Sequence, residues 1–340
     1  MRPALLAIVM SLAANAANYS ARRTVVDSVE VVVLADAARG TEVTIVPSVG
    51  NGAYEMKVNG KNILPMPSTS LKEFKAKAPF AGIPFLAPWA NRLDQFAFYA
   101  NGKKYNFNPD LGNVRGKIPS HGFLRSSPDW KVVSVKSNRG GAEVTSRLEF
   151  WKYPDYMAQF PFAHTIEMTY RLEKGVLEVQ TALRNLSSEP MPVSIGFHPF
   201  FRVLDAPRDR WKLHLPAKEQ MVLSAALIPT GERKALTSAD PIPLEGVQFD
   251  DVFTSLVRGE DGRAEFWFQG DKQKISVLFG PKYTVAVIYA PRGRESIAIE
   301  PMAAITNGMN MAQAGTYKEL QSIPPGGEWR ESFWIRPAGF

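Results

Sequence analysis

The sequence predicts an all-β fold, a large antiparallel β-sandwich, and three observations carry that expectation. Apolar residues recur with period two in one run after another, and the runs are rich in Val, Ile, Thr and aromatic residues. Turn signals separate the runs, and 25 glycines and 26 prolines among 340 residues leave many places for the chain to reverse. Apolar spacing of 3.6 residues is scarce, so helices have little to bury.

Taken in order, the strand-like runs cover residues 29–34, 41–46, 130–136, 142–150, 163–172, 176–184, 264–269, 274–279, 284–289 and 329–335. Asn51-Gly52, Asn59-Gly60, Asn101-Gly102, Gly140-Gly141, Glu260-Asp261-Gly262 and Pro325-Gly326-Gly327 punctuate them. The best helical candidate is short, 217–227. Three segments, 78–92, 119–125 and 248–253, read as loops and hold most of the unusual residues; loops on a rigid scaffold are where sites are built. No composition break and no repeat of solenoid or propeller period divides the chain, so residues 17–340 are expected to form one domain.

Residues 1–16 have the marks of a cleaved signal peptide. Arg2 gives a positive start, 3–14 is almost wholly apolar, and Ala14-Asn15-Ala16 has small-residue cleavage spacing. The mature protein is therefore expected in a periplasm or outside the cell. No apolar stretch reaches the about 20 residues needed to span a bilayer. The net charge of +7 is spread without runs of like charge, which speaks against a nucleic-acid tail. The absence of cysteine excludes disulfide scaffolds, thiolate metal sites and cysteine nucleophiles.

Four histidines can be weighed singly. His214 falls on the polar face of its segment, and His164 shares an apolar face with Phe162, Ile166 and Met168, as a hydrogen-bonded core histidine would. His121, in Pro119-Ser120-His121-Gly122-Phe123, has no such explanation. His198 ends a strand-like run, 192–198, in which Val193, Ile195 and Phe197 face one way while Ser194, Gly196 and His198 face the other; Pro199 then ends the ladder. The same construction recurs at Ser296-Ile297-Ala298-Ile299-Glu300-Pro301. Each strand thus sets a titratable group beside small residues, as the two sides of a cleft would. Two wetted strand faces with proline as punctuation would read the same way. A histidine and a carboxylate on opposite sides of a ligand can serve as general acid and general base, but their pattern does not say which is which.

With these residues in view the chain resembles the aldose 1-epimerase (galactose mutarotase) family over nearly all of its mature length. The motifs run in order from Gly82-Ile83-Pro84-Phe85 and Pro88-Trp89-Ala90-Asn91-Arg92 to His121-Gly122-Phe123-Leu124-Arg125. Asn185, Met191-Pro192, Gly196-Phe197-His198-Pro199-Phe200-Phe201 and Phe249-Asp250-Asp251-Val252-Phe253 follow, then Ile299-Glu300-Pro301 and Pro325-Gly326-Gly327-Glu328-Trp329. The resemblance implies a supersandwich of galactose mutarotase-like type that interconverts the α and β anomers of a free hexose such as glucose or galactose. It implies His198 as the acid at the ring oxygen and Glu300 as the base at the anomeric hydroxyl, with Arg92, His121, Asp250 and Asn91 holding sugar hydroxyls. A monosaccharide is the implied partner, the chain a monomer or weak homodimer. Opening a hemiacetal needs two proton transfers and no cofactor or metal.

One departure is Arg202-Val203, where the family often has Asn-Leu; it is expected to put a positive charge near the cleft mouth. Two other readings stay in play. A hexose-6-phosphate 1-epimerase would want basic residues at the phosphate end, for which Arg202, Arg125 or Arg115 could serve. A non-catalytic carbohydrate-binding sandwich could stack sugars on some of the 7 Trp, 10 Tyr and 20 Phe. Cleavage after Ala16 predicts that mass spectrometry of exported protein finds a chain starting at Ala17; an intact Met1 in that fraction would refute the leader.

Overall fold

A computed structural model describes residues 18–111, 114–115 and 118–340, with only the backbone described at 111 and 115. The expected leader, 1–16, lies outside the described residues. The fold is all-β, with two large sheets and a smaller N-terminal one. The nine-stranded sheet runs in spatial order Lys131–Asn138, Gly141–Glu149, His164–Glu173, Val176–Asn185, Glu328–Ala338, Lys274–Phe279, Ala264–Gln269, Lys212–His214 and Ile242–Pro243. The eight-stranded sheet runs Pro229–Ala235, Ala217–Leu223, Phe249–Leu256, Val285–Ala290, Ile297–Met302, Gly196–Phe197 and Phe85–Leu86, with Phe200–Phe201 also paired to Ile297–Met302. Tyr19–Val26, Val29–Asp36, Thr41–Val46, Gly52–Val58 and Lys61–Asn62 form a five-stranded meander. Every ladder in these sheets is antiparallel.

Period-two alternation is what builds the core. In His164–Glu173 the even positions are buried and the odd ones half-exposed, so one face meets the interior and the other water. One contiguous apolar cluster takes in Val32, Phe85, Tyr170, Phe197, Ile299 and Phe333, joining all three sheets. Phe197 packs on Phe85 at 5.1 Å and on Phe333 at 4.8 Å between ring centroids, and burying each such ring contributes about 1.5–3 kcal/mol. A second cluster, with Leu86, Ala90, Val252, Val287 and Met302, covers the outer face of the eight-stranded sheet.

Most of the predicted strands are present, and two Asn-Gly turns form as their chemistry requires. Asn59-Gly60 and Asn101-Gly102 have positive φ at both residues (49° and 77°, 52° and 72°), closing hairpins onto Lys61–Asn62 and Lys103–Asn106. Three expectations need correction. Residues 217–227 are not a helix: Ala217–Leu223 is a strand, held between Pro229–Ala235 and Phe249–Leu256, because two flanking ladders outweigh a weak local helix preference. Segment 248–253 is not a loop, since Phe249–Leu256 is a strand with Val252 and Phe253 buried; Asp250-Asp251 reads as a turn only when its partners are unknown. The run 192–198 is split into Met191–Val193 and Gly196–Phe197, which pair in different sheets.

Gly196 shows what the small residues are for. It lies opposite both Met302 and Leu86, and a Cβ there would collide with Met302 Sδ and crowd the Pro301 carbonyl and Ala90. The smallness serves strand packing rather than an open hollow, and both faces of Ile297–Met302 are buried, not wet. Gly196→Ala should therefore overpack the sheet and cost about 1–3 kcal/mol, read as a lowered denaturant midpoint at unchanged slope.

Candidate active site

Strand register gathers the candidate residues on one face. Asp250 pairs with Tyr289, and Tyr289 with Ala298, across three neighbouring strands. Directly opposed residues share a face, so Asp250, Tyr289, Ala298 and, two residues on, Glu300 all point outward from the central core. Gly196 lies opposite Met302, which puts His198 on that same side; the His198 N–H donates to Pro84 O at 3.1 Å. The face assignment made from sequence alternation is therefore correct for both titratable residues, though Asp250 reaches the site from a strand.

The remaining groups come from two crossing loops. Arg92 bridges Ser120, Ala87 bridges Gly122, and the His121 N–H donates to Asn91 O at 2.7 Å. His121 and Gly122 are both left-handed, with φ 66° and 58°, and Asn91 has φ 56°. Only glycine suits the second position, because a Cβ at Gly122 would strike the Ala87 carbonyl. The His121-Gly122 pair is thus a close crossing that turns an imidazole inward, held in a backbone state that non-glycine residues seldom adopt.

A cavity of about 160 Å³ results, lined by Phe80, Asn91, Arg92, His121, His198, Phe200, Asp250, Tyr289, Arg294 and Glu300. All six residues singled out in the sequence line it. On its floor His198 Nε2 lies 3.1 Å from Glu300 Oε1, with the two side chains 7% and 1% exposed. Glu300 Oε2 is buried with no hydrogen-bond partner among the described residues. Burial, and then the charge of Asp250, push the Glu300 carboxyl well above its ordinary range, while Arg92 pulls the other way. On the wall, Arg92 Nη2 donates to Asp250 Oδ2 at 3.1 Å. A hollow of about 510 Å³ near His214 and Asp240 is larger, but its histidine and aspartate face solvent at 29% and 53% exposure. Buried, converging and perturbed groups mark the smaller cavity as the candidate site.

The aldose 1-epimerase family model matches residues 31–336. The chain belongs to the aldose 1-epimerase family. Among its relatives is the Escherichia coli protein YihR, 23% identical over 232 residues, which span 66% of this chain and 70% of that one. A galactose mutarotase-like protein from Clostridium acetobutylicum superposes with TM-score 0.84 at 22% identity, covering 95% of this chain and 99% of the other. A galactose 1-epimerase from Lactobacillus acidophilus superposes with TM-score 0.71 at 13% identity over 95% and 100% of the two chains. At such identities these structures establish the shared galactose mutarotase-like fold.

On this aldose 1-epimerase scaffold several finer expectations are revised. His198 and Glu300 do not stand on opposite sides of a gap but touch. Arg202 is not at the mouth, since its Nε donates to Asn62 O at 3.3 Å and it does not line the cavity. Arg125 is likewise turned away, donating to Ala78 O at 2.8 Å with its guanidinium over Phe80; the side chain of Arg115 lies outside the described residues. His164 is the expected core histidine, 3% exposed, its Nδ1 2.6 Å from Phe162 O and its ring stacked on Phe150. Phe80, Phe200, Tyr289 and Arg294 line the cavity and were missed. Phe80 sits 4.5 Å from the His198 ring and 5.0 Å from the His121 ring, and its only sequence signal is the Pro-Phe pair within the 78–92 loop.

The raised Glu300 carboxyl has a thermodynamic consequence with a definite sign. The folded state holds that proton to higher pH than the unfolded chain, so this group's contribution to stability is present at low pH and is lost as pH rises. Glu300→Gln should therefore raise Tm at neutral pH, with the gain vanishing below about pH 4, where the unfolded carboxyl is also protonated. A Tm gain that does not vary with pH would refute the shift.

Proposed function

We propose that the protein is an aldose 1-epimerase that interconverts the anomers of a free hexose such as glucose or galactose, with His198 as general acid and Glu300 as general base. The observation that carries this reading is the buried His198–Glu300 contact at 3.1 Å on the floor of a small polar cavity. The ring oxygen and the anomeric hydroxyl of a hemiacetal are bonded to the same carbon. An acid and a base held close together can reach both oxygens at once, and these two lie 3.1 Å apart.

A bound hemiacetal takes the place of that contact. Glu300 accepts the proton of the anomeric hydroxyl, the oxygen's electrons form the carbonyl, the bond from C1 to the ring oxygen breaks, and His198 delivers a proton to that oxygen. Rotation about the C1–C2 bond exposes the other carbonyl face, and reclosure returns both protons. A base of raised pKa suits the task, because the proton it takes comes from a weakly acidic hydroxyl. Arg92 with Asp250 offers a donor fork beside an acceptor, a pairing that fits vicinal hydroxyls, and Asn91 and His121 complete the wall.

One observation favours a second reading, a hexose-6-phosphate 1-epimerase: Arg294 lines the cavity from an exposed loop, where it could meet an anion. Comparing glucose with glucose 6-phosphate, in wild type and Arg294→Ala, separates the two.

In polarimetry on α-glucose and α-galactose, Glu300→Gln and His198→Asn should each lower kcat by about 10²–10⁴-fold, with KM changed far less. Arg92→Ala should chiefly raise KM, because it removes binding common to ground and transition states. Near wild-type turnover in a folded Glu300→Gln variant would remove Glu300 from the mechanism and leave a carbohydrate-binding sandwich as the better reading.

A further inference from the structure

The imidazole of His198 keeps one freedom that the backbone beneath it does not remove. Rotation about the bond from Cβ to a histidine ring is broad and roughly two-fold, so strand pairing fixes where the ring hangs but not how its plane faces. Packing has to do that. Phe200 stacks on the imidazole, with ring centroids 4.4 Å apart and planes at 29°. Phe80 closes an adjoining side at 4.5 Å and 66°, and the two phenyl rings stand at 86° to each other. The imidazole sits in the corner they form, with Glu300 Oε1 3.1 Å from Nε2 as a third contact.

Of the two rings, one is built into a sheet. Phe200 pairs with Ala298, and its N–H donates to Gly82 O at 3.0 Å. Phe80 belongs to no ladder; it follows the short helix Leu71–Lys77, which Ala78 ends at φ 39°. Arg125 supplies the hold that a ladder would. Its Nη1 donates to Ala78 O at 2.8 Å, and its guanidinium carbon lies 5.3 Å from the centre of the Phe80 ring. Burial pushes this guanidinium down from its ordinary pKa, and among the described residues no carboxylate pairs with it. A half-buried cation with a carbonyl and a ring for partners is costly, and what it secures is the position of Ala78 and Phe80.

We propose that Phe80, braced by Arg125, is a positioning residue for the anomer exchange: it sets the plane of the His198 imidazole, so that the proton delivered there points at the ring oxygen beside Glu300. The inference rests on the anomer-exchange reading above and adds a residue to it. Phe80 also packs 5.0 Å from the His121 ring at 33°, and the two imidazoles are 5.8 Å apart. One phenyl ring therefore restrains both histidines of the cavity. Proton transfer tolerates little error in such placement, since a shift of about 1 Å can cost about 10²-fold in rate.

The test is polarimetry on α-glucose and α-galactose with Phe80→Leu, Phe80→Tyr and Arg125→Met, after melting curves show each variant folded. Phe80→Leu should lower kcat by about 10–100-fold with KM changed less than about threefold. Phe80→Tyr, which keeps the ring, should stay within about threefold of wild type, and Arg125→Met should fall between the two. The decisive comparison adds Phe80→Leu to His198→Asn. With no imidazole left to orient, the second change should lower kcat by less than about twofold. An equal loss in both backgrounds, or a loss confined to KM as a ring stacked on the sugar would give, overturns the proposal. So does wild-type turnover in Phe80→Leu. Should Phe80→Leu fail to fold, Arg125→Met carries the same comparison. If wild type mutarotates no sugar, the anomer-exchange reading fails instead, and ¹³C relaxation of the His198 ring decides the brace. A ring loosened in Phe80→Leu and Arg125→Met sustains it, and an unchanged ring overturns it.

Discussion

The contact between His198 and Glu300 is the constraint on which the rest of the site depends. A carboxyl that is 1% exposed is costly to ionise, and the pull of Arg92 toward ionisation is smaller than the effect of burial. After burial the largest influence is the anion Asp250, which makes ionisation harder still, while Arg92, bonded to Asp250, acts the other way. The result is a carboxyl held in readiness for a proton, against an imidazole that can share one. In the anomer exchange proposed above, this carboxyl and imidazole are the pair that would move the two protons.

Two kinds of structure divide the work of holding that pair. Strands supply Glu300, Asp250 and Tyr289, whose relative positions follow from register and cannot drift without breaking ladders. The crossing of 87–92 with 120–124 supplies Arg92, His121 and Asn91 through backbone bonds between the loops and three left-handed residues. Arg208, 2% exposed, braces the strand part: its guanidinium donates to Val247 O at 2.5 Å and Ala290 O at 2.9 Å, beside the ends of the strands that carry Asp250 and Tyr289. On the far side of the cavity Asn307 N donates to Arg92 O at 3.0 Å and fixes the backbone behind the guanidinium.

The small residues beside His198 and Glu300 teach a narrower lesson. From sequence they read as space left for a ligand, and at Gly196 the structure shows space already filled by Met302, Ala90 and the Pro301 backbone. The room for a ligand lies one step outward, between Phe80, Arg92, Asp250 and Tyr289. Close packing beneath the titratable pair keeps water out from below, and the aromatic rings of Phe80 and Phe200 flank the imidazole from above.

By itself the sequence determined the fold class, most strands, the Asn-Gly hairpins and the faces on which His198 and Glu300 lie. Each of these rests on local rules: period-two burial, positive φ at turns, proline ending a ladder. The motif resemblance added Arg92, Asn91, His121 and Asp250, all of which line the cavity. Only the tertiary structure decided that the acid and base touch, that Asp250 stands on a strand, that Ala217–Leu223 is extended, and that Arg202 and Arg125 are occupied elsewhere. Those outcomes depend on partners distant in the chain, such as Ala286 opposite Pro301 or Asn62 beside Arg202, and no periodicity within one segment encodes who its neighbour will be.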